Sequence, residues 1–81
     1  MKSSDILLTL NEDLVVWKVK DSICVKYDEA WVSNVGVLEG AFGQGVDFED
    51  ACDSYLSKIR GKKLVFDGLR HKARKEVQVL G

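Results

Sequence analysis

Proline is absent from these 81 residues, histidine and methionine occur once each, and cysteine occurs twice. Each shortage removes a class of explanation. Without proline there are no polyproline linkers or recognition segments. Cys24 and Cys52 are too few for a disulfide scaffold and do not have the spacing of a metal site. A nucleophilic cysteine needs a base, and the single histidine, His71, stands far along the chain from both thiols. No apolar run approaches the roughly 20 residues that cross a bilayer. The opening stretch also lacks the apolar core and cleavage site of a signal peptide, so a cytoplasmic protein without membrane contact is expected. No carboxylate pair stands in an apolar setting that would raise its pKa. The reading is therefore a non-enzymatic protein with no catalytic residues, metal or cofactor.

What remains is the composition of one small domain spanning residues 1–81. Hydrophobic residues make up 46% of the chain and charged residues 31%, a globular rather than a disordered balance. The near-neutral net charge of −1 hides a polarity. Residues 1–59 carry eleven acids against five bases, whereas residues 60–75 carry seven bases against one acid. Such polarity favours capture of an anion at one locus and disfavours nucleic acid, which calls for a basic domain overall. Small size, an apolar-rich sheet and separated charges also favour a homo-oligomer.

Periodicity orders the elements. Ser3, Ser4 and Asp5 can cap a short first helix with Ile6, Leu7 and Leu10 on one stripe, ended by Asn11, Glu12 and Asp13. From Leu14 the period becomes two: Val15, Trp17 and Val19 oppose Lys18 and Lys20, as in a half-buried strand. Asp21-Ser22 turns into a second strand in which Ile23, Val25 and Tyr27 alternate with Cys24 and Lys26. Asp28-Glu29 turns into a third, with Trp31, Ser33 and Val35 against Val32 and Asn34. This alternation favours core packing for the tryptophans and for Tyr27. Four glycines between positions 36 and 45 predict an irregular, bulged strand with close backbone approach, and Val37, Leu38, Ala41 and Phe42 keep part of it in the sheet. Gly43-Gln44-Gly45 lacks the third glycine and the Lys-Ser/Thr of phosphate-binding loops, and reads as a turn into a helix.

That helix is the firmest element. Asp47 caps it, Glu49 and Asp50 occupy the first turn, Lys58 and Arg60 the last, and Gly61 follows as the stop. Phe48, Ala51, Cys52, Tyr55, Leu56 and Ile59 form one buried stripe, while Glu49, Asp50 and Asp53 form a wet acidic face. A strand over 62–67 with Leu64 and Phe66 on one face follows. A closing strand with Val77 and Val79 ends the chain. The expected class is α+β: an antiparallel sheet of about five strands, a long helix across one face and a short N-terminal helix.

Between the last two strands lies the basic stretch Arg70-His71-Lys72-Ala73-Arg74-Lys75. Arginine offers planar donors for bidentate phosphate contact and can stack on a base. Arg70 and Arg74, with Lys72 and His71 beside them, form a candidate anion site. Phe42, by the glycines, is the candidate stacking group. The competing reading is a solvated hairpin loop.

Two resemblances rest on this half of the chain. Gly45-Val46-Asp47-Phe48-Glu49-Asp50-Ala51 is similar to the helix entry of HicB-type antitoxins. The longer pattern runs from Phe42 through the Cys52, Tyr55 and Lys58 helix to Gly61-Lys62 and Leu64-Val65-Phe66. With the basic turn and Glu76-Val77 it resembles small phage and prophage proteins of Gram-positive bacteria, some of them similar to the Thoeris anti-defence sponge family. That second resemblance implies a counter-defence protein in the cytoplasm of an infected bacterial host. It would sequester a cyclic nucleotide or ADP-ribose-type signal through Arg70, Arg74 and Phe42. The HicB-like entry implies an alternative, an inhibitor or antitoxin module that acts on a protein partner by its acidic helix face or its sheet edge.

Overall fold

The computed structural model describes residues 2–11, 13–34, 37–66 and 75–79. The order is α1 (Ser3–Leu10), β1 (Leu14–Val19), β2 (Ser22–Tyr27), β3 (Ala30–Asn34), β4 (Val37–Glu39), β5 (Gly43–Gly45), α2 (Phe48–Ile59), β6 (Lys63–Phe66) and β7 (Lys75–Gln78). The α+β class and the antiparallel pairing are as expected, but the single five-stranded sheet is not. Among the described residues, seven strands divide into a three-stranded sheet, β1-β2-β5, and a four-stranded sheet, β4-β3-β6-β7.

The division follows from the glycine-rich segment. Instead of one bulged strand it supplies two short ones to different sheets. Leu38 pairs with Ser33 on β3, whereas Gln44 pairs with Cys24 on β2. The expected meander therefore breaks after Tyr27. The free edge of β2 is taken by β5, and β3 pairs with β4 and β6. Glycine makes this possible. A side chain at Gly43 would meet the carbonyl of Ala51 and stand 2.5 Å from Tyr55 Cβ, and one at Gly45 would stand 2.5 Å from Ala51 N. The helix lies directly on the strand's backbone.

The α2 ends match the sequence reading. Asp47 Oδ1 accepts from Asp50 N at 2.8 Å, which satisfies one N-terminal amide of the helix, while Asp50 Oδ2 reaches back to Val46 N, just before the helix, at 3.1 Å. Gly61, at φ 78°, ends the helix in the left-handed region and donates to Val79 O at 2.9 Å. The buried stripe holds from Ala51 to Ile59, but Phe48 is 38% exposed instead of buried. Gly45, the last residue of β5, sits against Asp50 and Ala51, so the first helical residue projects past the strand's end.

The core is shared by both sheets. Val25 and Tyr27 enter it from one, Val32, Leu64 and Phe66 from the other, the Tyr27 and Phe66 rings meet at 5.5 Å, and the α2 stripe and Leu7 complete it. Tyr27 Oη donates to Leu7 O, and Tyr27 N donates to Tyr55 Oη at 3.2 Å, which ties α1, β2 and α2 together. The tryptophans, expected in this core, are outside it. Trp17 and Trp31 are half-buried on other faces, and the tyrosines take the central place. No helix among the described residues is long and apolar enough to cross a membrane.

These contacts separate two glycines that sequence treats alike. Gly43→Ala should cost about 1–3 kcal/mol or more through forced displacement of α2. Gly40→Ala, whose added carbon would sit an ordinary 3.6 Å from the Trp31 ring, should cost far less. Urea melts of the two variants measure the difference.

Candidate ligand-binding site

Pairing fixes which side chains share a face. Opposed residues point the same way and neighbours alternate. Gly43 and Gly45 face α2, so Gln44 faces away, together with its partner Cys24 and, across β2, Trp17. Val15 and Val19 join them at period two and are 41% and 44% exposed. Cys24 is buried on this outer face. Phe42, the residue before β5, is 43% exposed, and its ring lies 6.0 Å from that of Trp17, tilted by 49°.

A cation completes the group. Lys58, from the last turn of α2, places its ammonium 5.1 Å from the Phe42 ring centre and donates to Phe42 O at 2.7 Å. An ammonium has three N–H donors, so the carbonyl leaves others for an anion. Lys26 lies nearby in sequence on β2, 6.0 Å from the Trp31 ring. An aromatic plane with a cation beside it can stack a base and attract a phosphate. Sequence reasoning found Phe42 by its glycines but gave Lys58 only a helix-dipole role. The signal available was its helical position, three residues after Tyr55, whose backbone lies under Gly43.

Among the sequence-derived candidates, Phe42 is therefore in a described setting. Arg70, His71, Lys72 and Arg74 lie outside the described residues. The strands that bracket them are described: Phe66 pairs with Lys75, and an exposed Lys63–Glu76 ion pair at 3.6 Å lies further along the same hairpin.

The acidic face of α2 is solvated as expected at Asp50 and Asp53, whereas Glu49 is half-buried, and two of its acids also hold α1. Ser4 donates to Glu49 from its amide at 3.0 Å and from its hydroxyl at 2.6 Å, and the Ser3 hydroxyl donates to Asp53. These serines, expected to cap α1, leave that role to Lys2, which makes no side-chain cap bond. They serve as anchors because the carboxylates of α2 compete for their donors. An open groove of about 280 Å³ runs along this junction, lined by Ser3, Asp53, Leu56, Ser57 and Arg60. Its acid is already held by Ser3. No group of three or more His, Cys, Asp or Glu residues able to hold a metal occurs among the described residues.

The thiols are set for packing. Cys24 and Cys52 are both free and buried. Burial, reinforced by Glu49 and then Asp53, pushes the Cys52 thiol up to about 11. Burial likewise raises Tyr27, with Tyr55 and Cys52 adding to it, and raises Tyr55 despite its bond from the Tyr27 backbone. A thiol held neutral in the fold is a poor nucleophile.

No protein-family model matches this chain, and no curated protein or solved structure matches it either.

The raised thiol has a signed consequence. Below the ordinary value of 9.0, Cys52 is protonated in both folded and unfolded chains and pH has no leverage through it. Between 9.0 and about 11 the unfolded chain loses this proton and the folded chain keeps it, so stability falls as pH rises. The tyrosines extend the loss above 10. Melting temperature should therefore decline through this window, with a shallower onset in Cys52→Ala. Ellman's reagent at pH 8 should label neither thiol until the chain is unfolded.

Proposed function

We propose that the protein is a non-enzymatic binding protein of the phage counter-defence type that sequesters a phosphate-bearing nucleotide signal. A cyclic nucleotide or an ADP-ribose derivative has the required chemistry. The observation that carries this reading is Phe42, nearly half exposed, with the Trp17 ring centred 6.0 Å and the Lys58 ammonium 5.1 Å from its own ring centre. An exposed aromatic ring braced on one side by a second ring loses little side-chain freedom when a base stacks on it. Lys58 supplies charge at that place, and Arg70 and Arg74, with Lys72 and His71, supply the bidentate and auxiliary phosphate donors. Self-association belongs to the same reading, favoured by the small chain and its exposed apolar strand residues.

The alternative is a protein inhibitor or HicB-like antitoxin module acting by its acidic helix face, where Glu49 and Asp53 are hydrogen-bonded by Ser4 and Ser3, or by its sheet edge.

Calorimetry with cyclic dinucleotides and ADP-ribose derivatives tests the proposal. Binding should weaken steeply with added salt. Phe42→Ala should lower affinity about tenfold or more, the size of one lost base–aromatic stack. Arg74→Ala should lower it at least as far. Circular dichroism should show both variants folded. Absence of heat with every such ligand would end this reading.

A further inference from the structure

We infer that two copies of the chain pair β1 against β1, antiparallel about a two-fold axis normal to the sheet, with Val16 opposite Val16. The two three-stranded sheets then become one of six strands. This deepens the self-association part of the proposed function and does not depend on nucleotide capture.

The backbone provides the first argument. β1 is the outermost strand of β1-β2-β5, and no described segment pairs with its outer side. Asp28 N donates to Asp13 O at 2.9 Å, so the odd-numbered residues of β1 turn their amides and carbonyls towards β2. Hydrogen-bonding direction alternates along a strand, so Leu14, Val16 and Lys18 aim theirs outward. An open edge of this kind is a template for another strand.

Side chains provide the second. Edge strands are normally guarded by proline, bulges, charged side chains or a covering element. β1 reads LVVWKV and pairs with β2 in unbroken register, with Lys18 its one charged residue. Val15 and Val19 on one face and Val16 on the other are each more than 40% exposed. The strand presents apolar surface on both sides of its open edge.

Charge supplies the third argument and also the direction. Asp13 precedes the strand, while Lys18, Lys20 and Asp21 stand at its far end, which is basic by one charge. Antiparallel self-pairing runs the Asp13 end of one strand along the Lys18 and Lys20 end of the other, with Asp13 opposite Val19 and Lys18 opposite Leu14 on the two faces of that end. Parallel pairing would put like charges together.

Register follows from symmetry. A two-fold axis normal to the sheet keeps each face on its own side, so only residues of equal parity can be opposed. With Val16 opposite Val16, Leu14 falls opposite Lys18, and every outward-aimed backbone group of the strand is paired. Val15 then packs against Trp17 of the other copy. Centring on Trp17 would instead bring Leu14 opposite Lys20, whose φ of 55° takes it out of the strand.

Sedimentation equilibrium and thiol crosslinking test this pairing. Wild-type protein should sediment at twice the 9.1 kDa chain mass. Val16→Lys should sediment as a monomer, with an unchanged far-ultraviolet spectrum because the side chain is half exposed. Opposed residues in a hydrogen-bonded pair lie about 5.5 Å apart at Cα, within disulfide reach. Val16→Cys should therefore oxidise to a covalent dimer, while Val37→Cys, 58% exposed on β4, should not. Cys24 and Cys52 are buried and do not compete. A wild-type monomer at millimolar concentration, a dimer that survives Val16→Lys, or equal crosslinking at Val37 would each overturn the interface. Nucleotide calorimetry on Val16→Lys reads the capture proposal separately, so failure of either is distinguishable.

Discussion

The approach of α2 to the bare backbone of β5 is the constraint on which the rest of the fold depends. Helices usually pack on sheets through interleaved side chains. Here Gly43 and Gly45 present none, and the helix backbone at Ala51 lies where their Cβ atoms would be. That depth seats Ala51, Cys52 and Tyr55 in the core and brings the Tyr55 hydroxyl to the Tyr27 amide. Tyr27 in turn reaches the carbonyl of Leu7, so the first helix is held through the same contact. Glu49 and Asp53, on the flank of α2, fasten the start of α1 through Ser4 and Ser3. Buried polar chains of this kind are stabilising only when every member is partnered. Among the described residues no buried side-chain nitrogen or oxygen lacks a partner.

Local order was legible in sequence where local physics sets it. The α2 boundaries follow from Asp47 and Gly61, whose roles are written into neighbouring backbone groups. The β1–β2 hairpin follows from period two, although its turn is Lys20-Asp21 and not Asp21-Ser22, and Leu64 with Phe66 lie inward as their spacing requires. What sequence did not reveal is which strands share a sheet. Val37 to Glu39 and Gly43 to Gly45 are too short to carry a pairing signal, and their separation into two sheets is decided by partners far along the chain. The tryptophans were misplaced for a related reason. Alternation shows that Trp17 differs in face from Val16 and Lys18, but not which face the helix covers.

The candidate site shows the same division. Phe42 was recognisable from its glycine surroundings, since small residues there clear space around an aromatic. Lys58 was not, because its role depends on how α2 runs past β5, a tertiary fact. A lysine in a last helical turn is ordinarily explained by the macrodipole, and this one satisfies that preference as well. The basic residues 70–75 stood out by composition alone, and composition identifies charge without specifying a geometry.

The exposure of Phe42 is itself a consequence of chain parity. Residues 40–42 carry the backbone from one sheet to the other, between Gly40 beside Trp31 and Gly43 beneath α2. Because Gly43 must face the helix, Ala41 also turns inward, where it packs against the core. Phe42 must then turn outward on the face shared with Gln44 and Trp17. An inward phenylalanine would need the space α2 occupies. With β5 at the sheet's edge, the carbonyl of Phe42 is left near the border of the sheet, and Lys58 reaches it from the helix. Edge carbonyls require such a partner or water. The pairing of an outward ring with an ammonium therefore arises from the same close packing that makes the core.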